Sequence, residues 1–315
     1  MVSNKKEVFE NNLRRLYPNN ERIFSYISKS RPQVFRVNTL KALPADVLAS
    51  LSQQNMRYIK GPLDNTYIVT TQDADLRLTN TKEFNGGLLY VQGLSSMLPV
   101  WSLGLEVTDK VLDLCASPGS KTSLVAALSN NKAQVTAVEN NRNRFFALMK
   151  NLDNLNVTNV SYAMENGTRL SLVKPELQNY FDKVLVDVPC SNEAGINLSD
   201  EKSIMRWNPK ASRHLSKLQK KLLLSGIRML KPGGTLVYST CTYTVEENES
   251  VVDWVLRKNS EMVLTEIHLD VPEMDHVGGF TEFEGKKFDS NLSKTMRIVP
   301  NDLFGGFYLA KMIKK

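Results

Sequence analysis

Three cysteines sit where short aliphatic runs end: Cys115 after "VLDL", Cys190 after "VLVDVP" and Cys241 after "GTLVYST". Each run reads as a strand. A single cysteine in such a place is more often a small core residue than a reactive one. Three at equivalent strand ends point to a site, because open parallel sheets bind ligands beyond the carboxyl ends of their strands. Asp187 stands three residues before Cys190, at the same strand end. A thiol beside a carboxyl group is suited to covalent catalysis, in which the thiolate is the attacking form.

The stretch "VLDLCASPGSKT" reads as strand, small-residue loop, helix. The loop lacks the G-x-G-x-x-G spacing of a nicotinamide site. It is not a phosphate-cradling lysine loop either, since Ser120 and Cys115 occupy the places of the two required glycines. Pro118–Gly119 makes a tight turn, and small residues let a ligand approach backbone N–H groups at the helix start. The next strand ends at Glu139, 24 residues past Cys115, where a carboxylate can accept from two ribose hydroxyls. A nucleoside site without a phosphate cradle suggests S-adenosylmethionine.

Around these residues the chain alternates strand and helix from residue 109 onward: "KVLDLC", "KTSLVAALSNN", "QVTAVE", "NRFFALMKNLDNL", "NVSYAM", "DKVLVDV", a helix over 210–229, "GTLVYST" and "VEENESVVDWVLRKN". That order predicts an α/β, doubly wound, largely parallel sheet. "EMVLTEI" and "GGFYLAKMI" read as closing strands. Before it, residues 1–30 read as helical with Val8, Phe9, Leu13 and Leu16 inward, and "QVFRVNTL", "PADVLASLSQQN" and "NTYIVTT" read as strand, helix and strand. Two domains are expected, a small α+β unit over 1–85 and a catalytic domain over 86–315, joined near Gly86–Gly87.

Composition narrows the functional classes. No apolar run approaches the length of a membrane span, and the charged N-terminus lacks the apolar centre of a secretion signal. Three scattered cysteines make no disulfide framework and fit a reducing, cytoplasmic setting. His214, His268 and His276 have no metal-ligand spacing, so no metal is expected. The net charge of +7 is uneven: residues 202–231 hold nine basic and no acidic residues, while the rest of the chain is slightly acidic. Such a run favours a polyanionic partner.

Six stretches carry a resemblance over nearly the whole chain: "RVNTLK" (36–41), "YVQGLSSM" (90–97), "LDLCASPGSKT" (112–122), "VLVDVPCS" (184–191), "YSTCTYTVEENE" (238–249) and "RIVPNDLFGGFYLAK" (297–311). In order and spacing they resemble the Sun/Fmu family of RNA (cytosine-5) methyltransferases. The resemblance implies a seven-stranded Rossmann-like methyltransferase sheet preceded by a small α+β domain that helps hold RNA. It implies an S-adenosylmethionine site made by Cys115, Ala116, Ser117, Pro118, Gly119, Ser120 and Lys121, with Glu139 on the ribose and Arg144, Asn166 and Asp187 completing it. It also implies that Cys241 attacks carbon 6 of the cytosine and that Cys190 assists product release, with Asp187 between cofactor and base. Cys115 is expected to pack behind the loop without chemistry. The chain departs from the family pattern at Asn166, where an acid is usual, at Ser117, Ser120 and Val188, and at Gly305, where "DGFF" is commoner.

The substrate implied is rRNA or tRNA, single-stranded or opened at the target, since a stacked cytosine is out of reach. Asn208–Pro209 reads as a helix start. Arg206, Lys210, Arg213 and Lys217 then recur on one face, as an RNA-binding stripe, opposite Leu215, Leu218 and Leu222. Trp207 is suited either to stacking on a base or to filling the core. A monomer is expected. Two other readings compete: an RNA-binding assembly factor that keeps the fold with little catalysis, and a DNA cytosine-5 enzyme in which Cys190 attacks.

Overall fold

Along the central strands consecutive side chains turn to opposite faces, and both faces are apolar. Val184 and Val186 join one core with Leu112, Leu114, Leu236 and Tyr238, whereas Leu185 joins another with Val111, Val135 and Val237. A strand buried on both faces reads as an unbroken aliphatic run, which is why these segments announced themselves. The computed structural model describes residues 2–71 and 77–315, and side chains from residue 4 onward within those ranges. Met1 and residues 72–76, which the expected N-terminal unit includes, lie outside them.

Helices α1 (Val2–Leu16) and α2 (Arg22–Ile27) come first. Strands β1 (Val34–Val37), β2 (Tyr58–Lys60), β3 (Thr66–Val69) and β4 (Leu89–Val91) form an antiparallel sheet in the order β2-β3-β1-β4. Helix α3 (Pro44–Gln53) packs on it through Val47 and Leu51, and α4 (Lys82–Asn85) precedes β4. Then follow α5 (Leu94–Ser102), β5 (Lys110–Asp113), α6 (Ser120–Leu128), β6 (Gln134–Val138), α7 (Arg142–Asn154), β7 (Val160–Ala163), α8 (Leu170–Val173) and β8 (Phe181–Asp187). Next are α9 (Glu201–Arg206), α10 (Ala211–Met229), β9 (Leu230–Thr240) and α11 (Glu249–Leu256). The chain closes with β10 (Met262–Leu264), β11 (His276–Gly278), the hairpin β12 (Glu282–Phe283) and β13 (Lys286–Lys287), β14 (Met296–Ile298) and β15 (Phe307–Lys314).

The large sheet runs β11-β14-β15-β9-β8-β5-β6-β7, with β10 on β15. Strands β5 to β9 are parallel, and β15 and β14 antiparallel. Among the described residues it has nine strands rather than seven, because the three-residue β10 and β11 pair on its antiparallel side. Strand β5 has β6 on one side and β8 on the other, which makes its carboxyl end the topological switch point where a cleft opens.

Three local readings are corrected. The expected helical stretch is two helices, Val2–Leu16 and Arg22–Ile27, broken where Asn19 takes a left-handed φ of 67°. Val8 is 38% exposed, while Phe9, Leu13 and Leu16 are buried. Helix α10 starts at Ala211, and Asn208 instead accepts from the Lys210 N–H at 3.0 Å in the turn before it. The two N-terminal helices bury Phe9, Leu13, Ile23 and Ile27 in the same core as Trp207, Tyr243 and Val245 of the larger body. Strand β4, beyond residue 85, belongs to the small sheet. Among the described residues no helix is long and apolar enough to cross a membrane.

Candidate active site

Strands β8 and β9 are parallel neighbours with Asp187 opposite Ser239. The chain leaves β8 through Val188–Pro189 to Cys190 and leaves β9 directly at Cys241, so the two cysteines follow adjacent strand ends. Their sulfurs lie 3.2 Å apart. The hydrogen bond that Cys190 donates to the Cys241 sulfur, together with burial, pushes the Cys190 thiol well above the ordinary cysteine range, against a backbone N–H of Asn192 that pulls the other way. Cys190 therefore keeps its proton at neutral pH. The Cys241 thiol donates to Asn192 Oδ1 at 3.1 Å.

Asp187 is fixed from two sides. The Ser239 hydroxyl donates to its Oδ1 at 2.6 Å, and the ammonium of Lys121 sits 2.6 Å from its Oδ2. Lys121 itself is buried beside the Ser96 hydroxyl, 3.1 Å away. Its place in the loop was expected from the sequence, but its pairing with Asp187 was not, because that contact joins residues 66 apart. Beneath the 190–193 loop two buried carboxylates brace the backbone. Glu193 accepts from Trp207 Nε1 at 3.1 Å, Thr242 Oγ1 at 3.0 Å and the Tyr243 N–H at 3.1 Å, and burial still pushes it up to about 7. Glu247 accepts from the Ser191 N–H at 3.1 Å and Gln219 Nε2 at 2.7 Å. Neither was singled out from the sequence, although both lie inside or next to the motifs, at "CSNE" and "TVEENE".

A cleft of about 400 Å³ opens at the end of β5, lined by Leu114, Cys115, Val138, Glu139, Arg144 and Asn166, with Leu218 and Leu222 of α10 opposite. Gly119 turns the loop at φ 102°, where a Cβ would stand 3.0 Å from both Leu148 and Leu152. Only glycine adopts that conformation without strain. The loop is tied down by Ser117, whose carbonyl accepts from Arg144 at 2.9 Å and whose hydroxyl donates to Arg144 O at 3.1 Å. Pro118 is exposed and its carbonyl accepts from Asn151 at 2.7 Å, while Ala116 is buried. Glu139 accepts the Asn141 N–H at 2.9 Å and pairs with Arg144 at 3.3 Å. Burial pushes the Cys115 thiol well above its ordinary range, which leaves it unreactive. Asn166 lies at the rim, but its Oδ1 already accepts from the Thr168 N–H at 3.0 Å and hydroxyl at 2.8 Å. Both lone pairs are thus engaged, and the amide NH₂ is what Asn166 has left for a ligand. Arg36 of "RVNTLK" donates to Gln92 Oε1 at 3.2 Å and Ser123 Oγ at 2.6 Å, bracing α6 from the small sheet.

The basic segment divides. Arg206, Lys210, Arg213, Lys217 and Lys221 are exposed, and among the described residues none has an acidic partner within 4.0 Å. Lys220 turns instead over the Trp254 ring at 5.4 Å. Leu222 is buried, and Leu215 and Leu218 are half-buried. Trp207 is 4% exposed and meets Phe9 edge-on at 5.1 Å, so it fills the core and does not present a stacking face. Gly305, where an acid is commoner, has Arg31 against it, 3.1 Å from where a Cβ would stand.

Two sulfurs at neighbouring strand ends, with a paired aspartate and a cleft at the switch point beside them, agree with the matches to known proteins. Residues 100–313 match the family model described as 16S rRNA methyltransferase RsmB/F. The chain belongs to this family. It is 33% identical over 309 residues to a 26S rRNA (cytosine-C(5))-methyltransferase of Caenorhabditis elegans, covering 95% of this chain and 45% of that one. It is 33% identical over 299 residues to a tRNA (cytosine(49)-C(5))-methyltransferase of Pyrococcus abyssi, covering 93% and 92%. A solved methyltransferase homologue from Pyrococcus horikoshii superposes with a TM-score of 0.80 at 29% identity, over 98% of this chain and 95% of that one. This family member spans less than half the length of its nematode and mammalian relatives and nearly all of the archaeal one.

Proposed function

We propose that this protein is an S-adenosylmethionine-dependent RNA (cytosine-5) methyltransferase with Cys241 as nucleophile. The observation that carries the reading is the sulfur pair: Cys190 holds its proton, and Cys241 stands 3.2 Å away at the end of β9. With the Cys241 proton directed to Asn192 Oδ1, the Cys190 S–H donates to the Cys241 sulfur, and a hydrogen bond received by a sulfur stabilises it as the thiolate, which favours Cys241 over the arrangement in which Cys190 attacks.

The cleft suits the cofactor. Leu114, Val138, Leu218 and Leu222 would offer apolar faces to a purine, and the Glu139 carboxylate in the same lining would accept from ribose hydroxyls. Asn166 offers N–H donors to the ring, where an acid in relatives would accept. When bound there, S-adenosylmethionine supplies an electrophilic methyl sulfonium.

Carbon 5 of cytosine is a weak nucleophile. Addition of the Cys241 thiolate to carbon 6 makes an enamine with nucleophilic carbon 5. Negative charge builds at ring nitrogen 3 as the sulfur adds. Asp187 passes a proton to that nitrogen as it takes one from the Lys121 ammonium, which is left as the neutral amine, so the charge on the ring is neutralised. Once carbon 5 carries the new methyl, its proton must leave before the carbon–sulfur bond breaks. Cys190 assists that elimination directly or through a water molecule. The exposed residues Arg206, at the end of α9, Lys210, just before α10, and Arg213 and Lys217 on α10 would hold RNA phosphates, with the small N-terminal sheet helping to place the strand. Retention of both cysteines, Asp187 and Lys121 in one cluster speaks against an RNA-binding factor without catalysis.

Incubation with radiolabelled methyl donor and cellular RNA, followed by digestion to nucleosides, tests the reading. Label in 5-methylcytidine that disappears with Cys241→Ala is expected. Label in another nucleoside would overturn it. Bisulfite sequencing of RNA from cells with and without the gene then separates rRNA from tRNA targets.

A further inference from the structure

Asn192 touches both sulfurs by different atoms. Its backbone N–H points at Cys190, and its side-chain oxygen accepts the Cys241 thiol proton at 3.1 Å. It adopts the left-handed conformation, φ 52° and ψ 41°, which carries the side chain back over the strand end. The amide nitrogen packs on Gly195, 2.9 Å from where a Cβ would be, so Gly195 leaves room for it. The residue is exposed and lines a cleft of about 600 Å³ with Ser203 and Arg206.

We propose that Asn192 is a positioning residue that presents the Cys241 sulfur and, by turning its amide, stabilises it as the thiolate. The proposal rests on the reading of Cys241 as the attacking thiol. In the resting state the carbonyl oxygen accepts S–H. When the proton passes to solvent, a half-turn of the amide replaces that acceptor by an N–H donor. A hydrogen bond to an ionised partner is the stronger of the two, so the exchange favours the thiolate. The other charged or titratable groups around the pair are Cys190, Glu193 and Glu247 under the loop, Tyr238 and Tyr243, Asp187 with Lys121 at the neighbouring strand end, Arg206 across the cleft, and Arg31, which donates to Ala194 O. Replacing Asn192 removes none of these groups.

The test needs neither RNA nor methyl donor, so it fails or succeeds separately from the methyltransferase reading. In a Cys190→Ala background, alkylation of Cys241 by iodoacetamide, in which sulfur displaces iodide, is followed against pH. Asn192→Gly keeps the left-handed turn and removes the amide. It should raise the midpoint by about half a unit to one unit. Asn192→Asp keeps an acceptor, loses the donor and adds negative charge, and should raise it further. In a Cys241→Ala background the Cys190 midpoint should stay put in Asn192→Gly, since its contact is to backbone. A Gly midpoint within about 0.2 units of the parent or below it, an Asp midpoint below that of Gly, or an equal shift at Cys190 would each overturn the proposal.

Discussion

Replacing Glu193 by Gln should flatten the pH dependence of stability between about pH 4.5 and 8. Glu193 is 5% exposed, and burial lifts it from the ordinary 4.5 to about 7. Between those values the native carboxyl keeps a proton that the unfolded chain has released. The native state then binds more protons than the unfolded state, so stability falls as pH rises. The contribution is fully present below pH 4.5 and is lost as pH climbs through 7. A displacement from 4.5 to about 7 is worth about 3 kcal/mol. The Gln variant lacks this slope. Its NH₂ must face the donors of Trp207, Thr242 or Tyr243, a pH-independent cost of about 1–3 kcal/mol. Asp113, raised to about 6 by its own burial, titrates in both proteins and cancels from the difference. Urea unfolding of the two proteins across this range, with constant m-values, reads the difference directly. Curves that stay parallel from pH 4.5 to 8 would refute the reasoning, and Glu193 would then be an ordinary carboxylate held by its three donors.

Three further outcomes are expected. Asn166→Asp and Asn166→Ala should each change S-adenosylmethionine affinity by more than about twofold; if neither does, Asn166 does not touch the cofactor. Lys121→Met leaves Asp187 without its cation and should lower methyl transfer at least about a hundredfold while RNA binding holds, so an active variant would remove the pair from the chemistry. Replacing Lys210, Arg213 and Lys217 with Gln should reduce the slope of log affinity against log salt by about two units on single-stranded RNA, and an unchanged slope would make α10 a merely solvated face.

The sequence exposed what is local and repetitive. Two-face burial made β5, β6, β8 and β9 visible as aliphatic runs, and strand–helix alternation gave the parallel sheet and so the strand ends where the cysteines meet. The short strand β10 is legible in "EMVLTEI", whereas β11 has no such run and only its pairing with β14 defines it. Long-range partners were equally hidden. Trp207 gave no sign that Glu193 and Phe9 would enclose it, and Lys121 none that Asp187 was its partner. Asn192 drew no attention because a left-handed asparagine on a loop is common. Its contact with Cys241 depends on how β8 and β9 lie side by side.

The division of labour between the two sulfurs is most directly measured by trapping the adduct. Cys190→Ala protein, incubated with RNA and S-adenosylmethionine and then denatured, should retain RNA on a retarded protein band, because Cys241 attacks and elimination stalls. The band should require the methyl donor and vanish in the Cys190→Ala, Cys241→Ala double variant. A band formed by Cys241→Ala alone would make Cys190 the nucleophile, and full turnover by both single variants would contradict covalent catalysis.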